Sequence, residues 1–325
     1  MKAMVLAAGL GLRMRPLTTL RAKPALPVLN RPLVCWTLER LARHGVTDVA
    51  INLHHLPDSV TKAVGDGSAF GLRVRFSRER RILGTGGGPR RIRDFLGDAP
   101  ILLVNGDVFF DFDLSGLVAK HRDSGSAATL ALKPNSDPEA YSAVVTGADG
   151  RIRSIHGLPR PARGPVSLFT GVHVLEPALL DRLPPGPSDS VRDLYVPLIA
   201  EGVPLLGVRV RGAWYDLGSP RLYMAAQASL LAAGFGGPRG SLVDESARIA
   251  PGARVGRCVI GPGSQLGPGA SVVESVLWDG VVVEARARVR RSILTSGVRV
   301  AAGQVLVERV GVRSRRGQRW SRLAS

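Results

Sequence analysis

The chain has little cysteine, few lysines and no long apolar run, and these shortages exclude whole classes of protein. Its only two cysteines, Cys35 and Cys258, lie far apart and have no metal-ligand pattern around them. We therefore expect a cytoplasmic protein in a reducing compartment rather than a secreted one held by disulfides. No apolar stretch approaches the roughly 18 to 20 residues of a transmembrane helix, so we expect no membrane span.

Positive charge is abundant but dispersed. The formal net charge is +18, which by itself suggests a nucleic-acid partner, because a basic face releases counterions from a phosphate backbone. However, the basic residues are 39 arginines and only five lysines, a bias typical of a GC-rich coding background, and the arginines are spread along the chain. We therefore expect no nucleic-acid partner. The one dense basic group, at residues 313–319, is interpreted as a solvated end.

Short apolar strand patterns alternate with helical patterns through the first two thirds of the chain. Strands separated by helices imply βαβ crossovers and a mostly parallel sheet, which binds ligands at the carboxyl ends of its strands. Gly9 and Asp107 both follow a predicted strand. The sequence thus predicts an α/β domain over residues 1–235. Strands are predicted at residues 3–7, 48–53, 72–76 and 101–104, and helices at residues 33–44 and 58–64.

A different pattern begins after a Gly- and Pro-rich break at residues 232–240. Apolar residues then recur every six positions with one single-residue slip, and Gly and Pro fill the gaps, as in IGPGSQLGPGASV. Such a repeat turns a corner every few residues and stacks its branched side chains into a parallel β-helix. A Gly-rich linker would not keep the apolar period over several repeats. We predict a left-handed parallel β-helix with a basic tail over residues 236–325.

The segment LAAGLGLRMRPLT at residues 6–18 joins the first predicted strand to a glycine-spaced turn. A dinucleotide fingerprint needs a third small residue where Met14 stands, and the Walker spacing of Gly-Lys-Ser/Thr is missing. A secretion signal is disfavoured because Arg13 and Arg15 end the apolar stretch at once. What remains is a run of backbone N–H groups able to face an anion, with Arg13 nearby and Lys23 ten residues later. Such donors and cations suit a triphosphate.

This segment, followed by KPALPVLNRP, closely resembles the N-terminal signature of the sugar-1-phosphate nucleotidyltransferases. The resemblance extends over most of the chain and implies a Rossmann-like nucleotidyltransferase domain followed by the hexapeptide repeats. It also implies that a sugar 1-phosphate attacks a nucleoside triphosphate, with catalysis by positioning and electrostatic stabilisation. The further matching stretches are LGTGGG at residues 83–88, NGD at 105–107, FTGVHVL at 169–175 and WYDLGSP at 214–220.

The same resemblance implies roles for individual residues. Arg13 would neutralise the departing pyrophosphate, and Lys23 would lie near the reacting phosphates. Asp107 and Asp216 match the two aspartates that hold Mg²⁺, a cation that takes one or two carboxylates plus phosphate oxygens. Taken singly, either aspartate could be an ordinary turn or strand-end residue. The implied nucleotide-binding residues are Leu6, Ala8, Gly9, Gly11, Thr85, Gly86, Gly87 and Asp107, and the implied sugar-binding residues are Ser142, Thr170 and Gly171.

Three other features near these motifs receive simpler interpretations. Residues 85–88 match the stretch that contacts the base and ribose, and we expect their bare backbone to be open to a flat ring, with a flexible turn as the alternative. Glu79 is interpreted as solvated. Asp111 and Asp113, in VFFDFDL, are interpreted as caps of the following helix.

Two departures from the family pattern leave the sugar open. Many members carry a Glu-Lys pair before the second sugar-binding strand, whereas SIHGLPRPARG at residues 154–164 contains no lysine. Arg153, Arg160 or Arg163 is a candidate substitute, although a fork-shaped guanidinium is not equivalent to an ammonium. The usual glycine before the sugar pocket is Ser142 here.

The motifs favour one substrate pair but leave alternatives. TGGG and the missing Glu-Lys pair resemble N-acetylmuramate-1-phosphate uridylyltransferases, whereas the appended repeats and WYDLGSP resemble mannose-1-phosphate guanylyltransferases. We expect the latter, with a uridylyl- or thymidylyltransferase for another sugar 1-phosphate, of the N-acetylmuramate or glucose type, or a non-catalytic regulatory subunit, as alternatives. Acyl transfer is disfavoured because such sites usually need a histidine base, and the repeats contain none. We expect the repeats to serve homo-oligomerisation or regulation.

Overall fold

The structure is a computed structural model that describes residues 1–135, 137–139, 141–235, 240–314 and 317–323. The centre of the predicted break, residues 236–239, and two arginines of the basic tail, residues 315 and 316, lie outside the described residues. The chain forms two compact units. Met1–Leu10 and Val34–Trp214 make the sheet unit, and Gly11–Leu33 with Tyr215–Ser325 make the repeat unit. The domain boundary predicted at residue 235 stays a prediction.

The four strands and two helices predicted before the repeats are all present, with bounds within two residues of the observed ones, whereas the described residues between 128 and 175 form four successive strands with no helix between them. The strands are β1 (Lys2–Leu6), β2 (Pro27–Val28), β3 (Arg31–Pro32), β4 (Asp48–Leu53), β5 (Arg73–Arg78), β6 (Ile101–Asn105), β7 (Val108–Asp111), β8 (Ala128–Pro134), β9 (Ala143–Thr146), β10 (Ile152–Ile155), β11 (Val166–Leu175), β12 (Leu205–Arg209) and β13 (Ala213–Asp216). The α-helices are α1 (Leu33–Arg43), α2 (Pro57–Val64), α3 (Gly84–Arg91), α4 (Arg93–Leu96), α5 (Leu114–Ser124), α6 (Val196–Ala200) and α7 (Pro220–Leu230).

The sheet unit is built on one nine-stranded sheet. At its centre β1 runs parallel to both β4 and β6, and β4 runs parallel to β5. On the other side β11 pairs antiparallel with β6, β8 and β9, while β12 joins β8 in parallel. The predicted Rossmann-like α/β fold is confirmed. The antiparallel strands around β11 were not predicted, because the direction of a strand follows from its connections rather than from its own side chains.

The burial of the central strands explains their sequences. Ala3, Met4 and Val5 of β1 are fully buried, as are Leu102 and Val104 of β6. A strand that is covered on both faces carries a continuous apolar run rather than an alternating one. This is why the chain opens with a short run of apolar residues that stops where the strand leaves the sheet.

The long strand β11 buries a titratable side chain. His173 is 1% exposed, and its Nδ1 lies 2.9 Å from the hydroxyl oxygen of Tyr195. The ring of Phe169 packs beside the imidazole with a centroid distance of 5.2 Å. Burial disfavours the charged form and lowers the pKa of His173 to about 3.

The repeat unit continues with short strands stacked in parallel. Val259 pairs with Val276 and Val276 with Ile293, so successive coils are 17 residues apart in sequence. These strands form three sheets, one for each side of the coil. The strands are β14 (Leu242–Val243), β15 (Arg248–Ile249), β16 (Arg254–Gly256), β17 (Val259–Ile260), β18 (Gln265–Leu266), β19 (Ser271–Val273), β20 (Val276–Leu277), β21 (Val282–Val283), β22 (Arg288–Arg290), β23 (Ile293–Leu294), β24 (Arg299–Val300), β25 (Val305–Val307), β26 (Arg309–Ser314) and β27 (Gly317–Arg322).

The interior of the coils is lined by the apolar residues of the six-residue pattern. Ile260, Leu277 and Leu294, each one coil apart, are fully buried. The predicted domain of repeating parallel strands is therefore confirmed. The described part of the basic tail is not a free end, because β27 pairs antiparallel with β26 and its Trp320 packs against the core of the coils. Among the described residues, no helix has both the length and the apolar character to cross a membrane.

We expect acid to destabilise the protein partly through His173. The unfolded chain binds a proton at this histidine near pH 6.5 and the folded chain only near pH 3, so its contribution to stability is complete above about pH 6.5 and is lost as the pH falls towards 3. His173→Asn keeps a polar side chain but cannot titrate. Urea unfolding between about pH 4 and 7 should show a flatter pH dependence for this variant. His156→Asn, at an exposed histidine, is the control, and an unchanged slope in His173→Asn would contradict the assignment.

Candidate functional site

The repeat unit contains the glycine-spaced turn and both predicted catalytic cations. Gly11 has a φ of 61°, and a Cβ there would lie 2.8 Å from Thr18 Cγ2, so the turn requires glycine. The Thr18 hydroxyl donates a hydrogen bond to the Gly11 carbonyl oxygen at 2.8 Å. These contacts close the turn, and Arg13 lies on its exposed side.

Lys23 and Asp216 come together in the repeat unit. Lys23 is 8% exposed, and its Nζ lies 3.9 Å from Asp216 Oδ1. Asp216 ends β13 and remains partly exposed. A Cβ on Gly218 would lie 2.7 Å from Asp216 Oδ2, so this glycine keeps space beside the carboxylate. The result is a compact ammonium held next to an accessible carboxylate, a combination that can bind phosphate oxygens and a cation.

In the sheet unit, the carboxyl ends of β1 and β6 bring several predicted residues to one edge. Leu6 is the register partner of Asn105, and the backbone N–H of Gly106 donates to the Leu6 carbonyl oxygen at 2.9 Å. Gly9, just beyond β1, is exposed, and Asp107, just beyond β6, is partly exposed. This is the edge at which ligands bind in such sheets.

The predicted sugar-binding residue Gly171 lies at the same edge. It has a φ of 78°, and a Cβ there would lie 2.6 Å from Asn105 Nδ2. Thr170 is buried, and its hydroxyl donates to the Ala131 carbonyl oxygen at 2.8 Å. The hydroxyl of Thr170 is therefore engaged within the sheet, whereas Gly171 is the residue that approaches the NGD motif.

Trp214 connects the remaining predicted sugar-binding residues. Its indole Nε1 donates to the Thr170 carbonyl oxygen at 2.9 Å. The ring of Tyr141 packs against it edge-on, with centroids 5.5 Å apart, and the exposed Ser142 follows Tyr141 directly. Ser142, Thr170 and Gly171 thus belong to one neighbourhood, and their contact with a sugar stays a prediction.

The glycine run adopts a different structure from the one expected. Gly86 and Gly87 are buried in helix α3, and their backbone N–H groups donate to the Ser188 carbonyl oxygen at 2.9 and 3.4 Å. A Cβ on Gly87 would lie 2.2 Å from the Gly186 carbonyl oxygen. Thr85 donates from its hydroxyl to Asp189 Oδ2 at 3.0 Å. The bare backbone thus packs against the protein, and the role of Thr85, Gly86 and Gly87 in nucleotide binding stays a prediction.

The interpretation of Glu79 as a solvated residue was wrong. Its side chain is 5% exposed, with Oε1 accepting from Asn52 Nδ2 and Oε2 accepting from the Leu83 backbone N–H, both at 2.8 Å. Asn52 Oδ1 in turn accepts from the backbone N–H of Ala7 at 2.7 Å. Asn52 and Glu79 therefore link the start of the opening turn to the start of α3. In the sequence, the polar Asn52 near the end of the buried strand β4 could have indicated that a buried polar partner was needed.

The arginines near the segment that lacks the Glu-Lys pair differ in whether they have a carboxylate partner. Arg153 is paired with Asp149 at 2.8 Å, whereas Arg160 and Arg163 are exposed. Arg160 lines a cavity of about 630 Å³ together with Arg151 and Arg153. Arg153 therefore already has a carboxylate partner, which favours the other two arginines as candidate substitutes for the lysine.

The carboxylates fit a magnesium ion that is held mainly by its substrate. Among the described residues, no group of three or more Asp, Glu, His or Cys side chains is arranged to hold a metal. Mg²⁺ does not require one, because it keeps several waters and takes one or two carboxylates plus phosphate oxygens. Asp216, which is partly exposed and has no side chain of residue 218 against its Oδ2, suits that mode of binding.

Comparison with known proteins identifies the class of protein. Residues 2–233 match the family described as nucleotidyl transferase, and residues 236–320 match the family described as GlmU-like, C-terminal hexapeptide. The chain belongs to the nucleotidyl transferase family and carries a hexapeptide-repeat domain, as the sequence predicted.

Particular relatives are named for sugar-1-phosphate substrates. The mannose-1-phosphate guanylyltransferase of Mycobacterium tuberculosis is 34% identical over 273 residues, which are 81% of this chain and 76% of that protein. The UTP–glucose-1-phosphate uridylyltransferase of Synechocystis is 33% identical over 241 residues, 70% of this chain, and the match spans 62% of the relative's length. A Bacillus anthracis crystal structure named for glucose-1-phosphate thymidylyltransferase has a TM-score of 0.61 at 22% identity, over 70% of this chain and 94% of that one. This last likeness concerns the fold alone.

Loss of the Glu79 carboxylate should destabilise the sheet unit. Glu79→Gln places an amide NH₂ group where a carboxylate oxygen now accepts, so the N–H of Leu83 or the amide of Asn52 loses its acceptor. We expect the free energy of unfolding to fall by about 1–3 kcal/mol, measured by urea denaturation. Glu245→Gln, at an exposed glutamate, is the control. A change below about 0.5 kcal/mol in Glu79→Gln would argue against a structural role for this carboxylate.

Proposed function

We propose that this chain transfers a nucleotidyl group from a nucleoside triphosphate to a sugar 1-phosphate, with GTP and mannose 1-phosphate as the preferred pair. The main support is the buried Lys23 ammonium 3.9 Å from the accessible Asp216 carboxylate. Family membership over residues 2–233 supports the reaction class. The relative named mannose-1-phosphate guanylyltransferase, which matches 81% of the chain, supports the substrate pair.

In the proposed reaction, a phosphate oxygen of the sugar 1-phosphate forms a bond to the α-phosphorus. The bond from that phosphorus to the oxygen that bridges to the β-phosphate breaks, and pyrophosphate leaves. The protein forms no covalent bond, so its task is to position the reactants and stabilise the charge on the phosphoryl oxygens. Backbone N–H groups around Gly9 and Gly11 would bind the phosphates. Arg13 would neutralise the pyrophosphate, and Lys23 would hold the reacting phosphates.

We infer that Asp107 and Asp216 hold a divalent cation, Mg²⁺, which when bound neutralises charge on the phosphate oxygens. Ser142, Thr170 and Gly171 are proposed to contact the sugar. Thr85, Gly86 and Gly87 are proposed to lie beside the base and ribose.

We also propose a location and an oligomeric state for the protein. Neither of the two cysteines forms a disulfide and both are buried, which supports a reducing, cytoplasmic location. We also propose that the chain forms a homo-oligomer through the repeats, which the exposed apolar side chains of Val305 and Val307 on β25 support.

The decisive experiment is a pyrophosphate-release assay. The purified protein is incubated with Mg²⁺, each nucleoside triphosphate and a panel of sugar 1-phosphates. The fastest release with GTP and mannose 1-phosphate would support the proposed pair. The fastest release with UTP or dTTP and a glucose or N-acetylmuramate 1-phosphate would overturn the pair but support the reaction. No release with any pair would overturn the reaction and favour the non-catalytic regulatory subunit.

Removal of either proposed metal-binding carboxylate should abolish most of the turnover. Asp107→Asn and Asp216→Asn keep the size of the side chain but remove the charge that would bind the cation, so we expect kcat to fall by about two orders of magnitude or more with an unchanged Tm. Asp113→Asn, at an exposed carboxylate near the start of α5, is the matched control. A near-normal kcat in either variant would remove that aspartate from the metal site.

A further inference from the structure

We propose that the repeats, together with α7, support catalysis indirectly, by positioning residues that bind the substrate. On this proposal they position the signature segment, defined as residues 11–33, so that Arg13 and Lys23 can bind the triphosphate. The segment is distant from the repeats in sequence but belongs to the same compact unit. The proposal rests on the catalytic roles of Arg13 and Lys23 given above. The positioning residues are Arg21 in the segment, Tyr223 and Gln227 on α7, and Trp278 and Asp279 on one coil.

The first set of contacts fixes Arg21, two residues before Lys23. Its guanidinium donates to Asp279 Oδ1 and, at 2.9 Å, to Ser296 Oγ. The same guanidinium lies over the ring of Trp278, with its carbon 5.0 Å from the ring centroid. A planar cation that stacks on a ring and bonds a carboxylate at its edge has one orientation, which a flexible ammonium would not reproduce.

The second set of contacts fixes the backbone four residues after Lys23. The Tyr223 hydroxyl donates to the Pro27 carbonyl oxygen, and Gln227 Nε2 donates to the same oxygen at 3.0 Å. Gln227 Oε1 accepts from the backbone N–H of Leu29 at 2.8 Å. The indole Nε1 of Trp278 donates to the Tyr223 hydroxyl oxygen at 3.1 Å. Trp278 therefore connects both ends of the segment around Lys23.

The backbone conformation of the segment gives an independent reason why it needs external support. Leu29 and Asn30 have φ values of 51° and 63°, in the left-handed region that non-glycine residues seldom adopt. Such conformations persist when the surrounding structure determines them. Here Gln227 Oε1 accepts a hydrogen bond from the Leu29 backbone N–H, and Asn30 Nδ2 donates to the Ile260 carbonyl oxygen of β17 at 2.9 Å.

These contacts leave Lys23 between two anchored points, with its ammonium directed at Asp216. Electrostatic catalysis depends on distance, and a displacement of about 1 Å in a positioned group can lower a rate by about a hundredfold. Arg21 and Asp279 are only partly buried, with side chains 30% and 50% exposed, and exposed ion pairs add little to stability. Their removal should therefore lower catalysis more than it lowers stability, which separates positioning from a merely structural role.

The kinetic test is a double-mutant cycle of Arg21→Ala and Asp279→Ala. We expect each single variant to lower kcat/KM by about ten- to a hundredfold with little change in Tm, and the double variant to be no worse than either single one. Arg21→Lys, which retains the charge but not the planar fork, should recover only part of the loss, and it serves in the cycle if Arg21→Ala fails to fold. Arg257→Ala, which breaks the Arg257–Glu274 pair elsewhere on the repeats, is the control and should keep wild-type kinetics.

A second measurement is independent of activity. Hydrogen–deuterium exchange of the backbone amides of residues 11–33 should be faster in Arg21→Ala and Asp279→Ala than in the wild type and in Arg257→Ala. This result would stand even if no substrate pair released pyrophosphate, so a failure of the proposed function can be distinguished from a failure of the positioning role. Wild-type exchange in both variants, or a loss of kcat/KM that only follows a fall in Tm, would overturn the proposal.

Discussion

The structure around the signature segment depends on keeping a buried ammonium next to a carboxylate. Transfer of an isolated charge out of water is very costly, so Lys23 at 8% exposure needs a partner, and Asp216 lies 3.9 Å away. The same burial would strengthen the attraction of the Lys23 ammonium for a phosphate, because little water remains to screen the charge. Three features lie next to this pair: the turn at Gly11 beside Lys23, the end of β13 at Asp216, and Gly218 beside the Asp216 carboxylate.

The two units contribute different kinds of residue to the proposed chemistry. The sheet unit supplies strand ends, where exposed backbone and Asp107 follow buried apolar runs, and the Asn52–Glu79 pair holds the backbone behind them. The repeat unit contains Arg13, Lys23 and Asp216, for which we propose contacts to the phosphates and the cation. The compact unit of the hexapeptide domain also includes residues 11–33 of the family signature.

The features that the sequence predicted well are those with a local cause. Apolar periodicity predicted four strands and two helices of the first domain to within two residues, and the six-residue repeat predicted the stacked parallel strands. The misjudged features depend on distant partners. Glu79 is buried because Asn52 and Leu83 donate to it, and Gly87 lacks a side chain because the backbone at Gly186 lies against it. The link from Arg21 to Asp279 spans most of the chain and has no local signal.

Lys23→Met tests whether the buried charge of Lys23 acts on the reacting phosphates. Methionine keeps an unbranched side chain of similar length but removes the ammonium. The measurement is kcat with the best substrate pair, compared with Lys62→Met at an exposed lysine of α2. We expect a fall of about a hundredfold or more for Lys23→Met and no change for Lys62→Met. A kcat within about twofold of the wild type in Lys23→Met would contradict it.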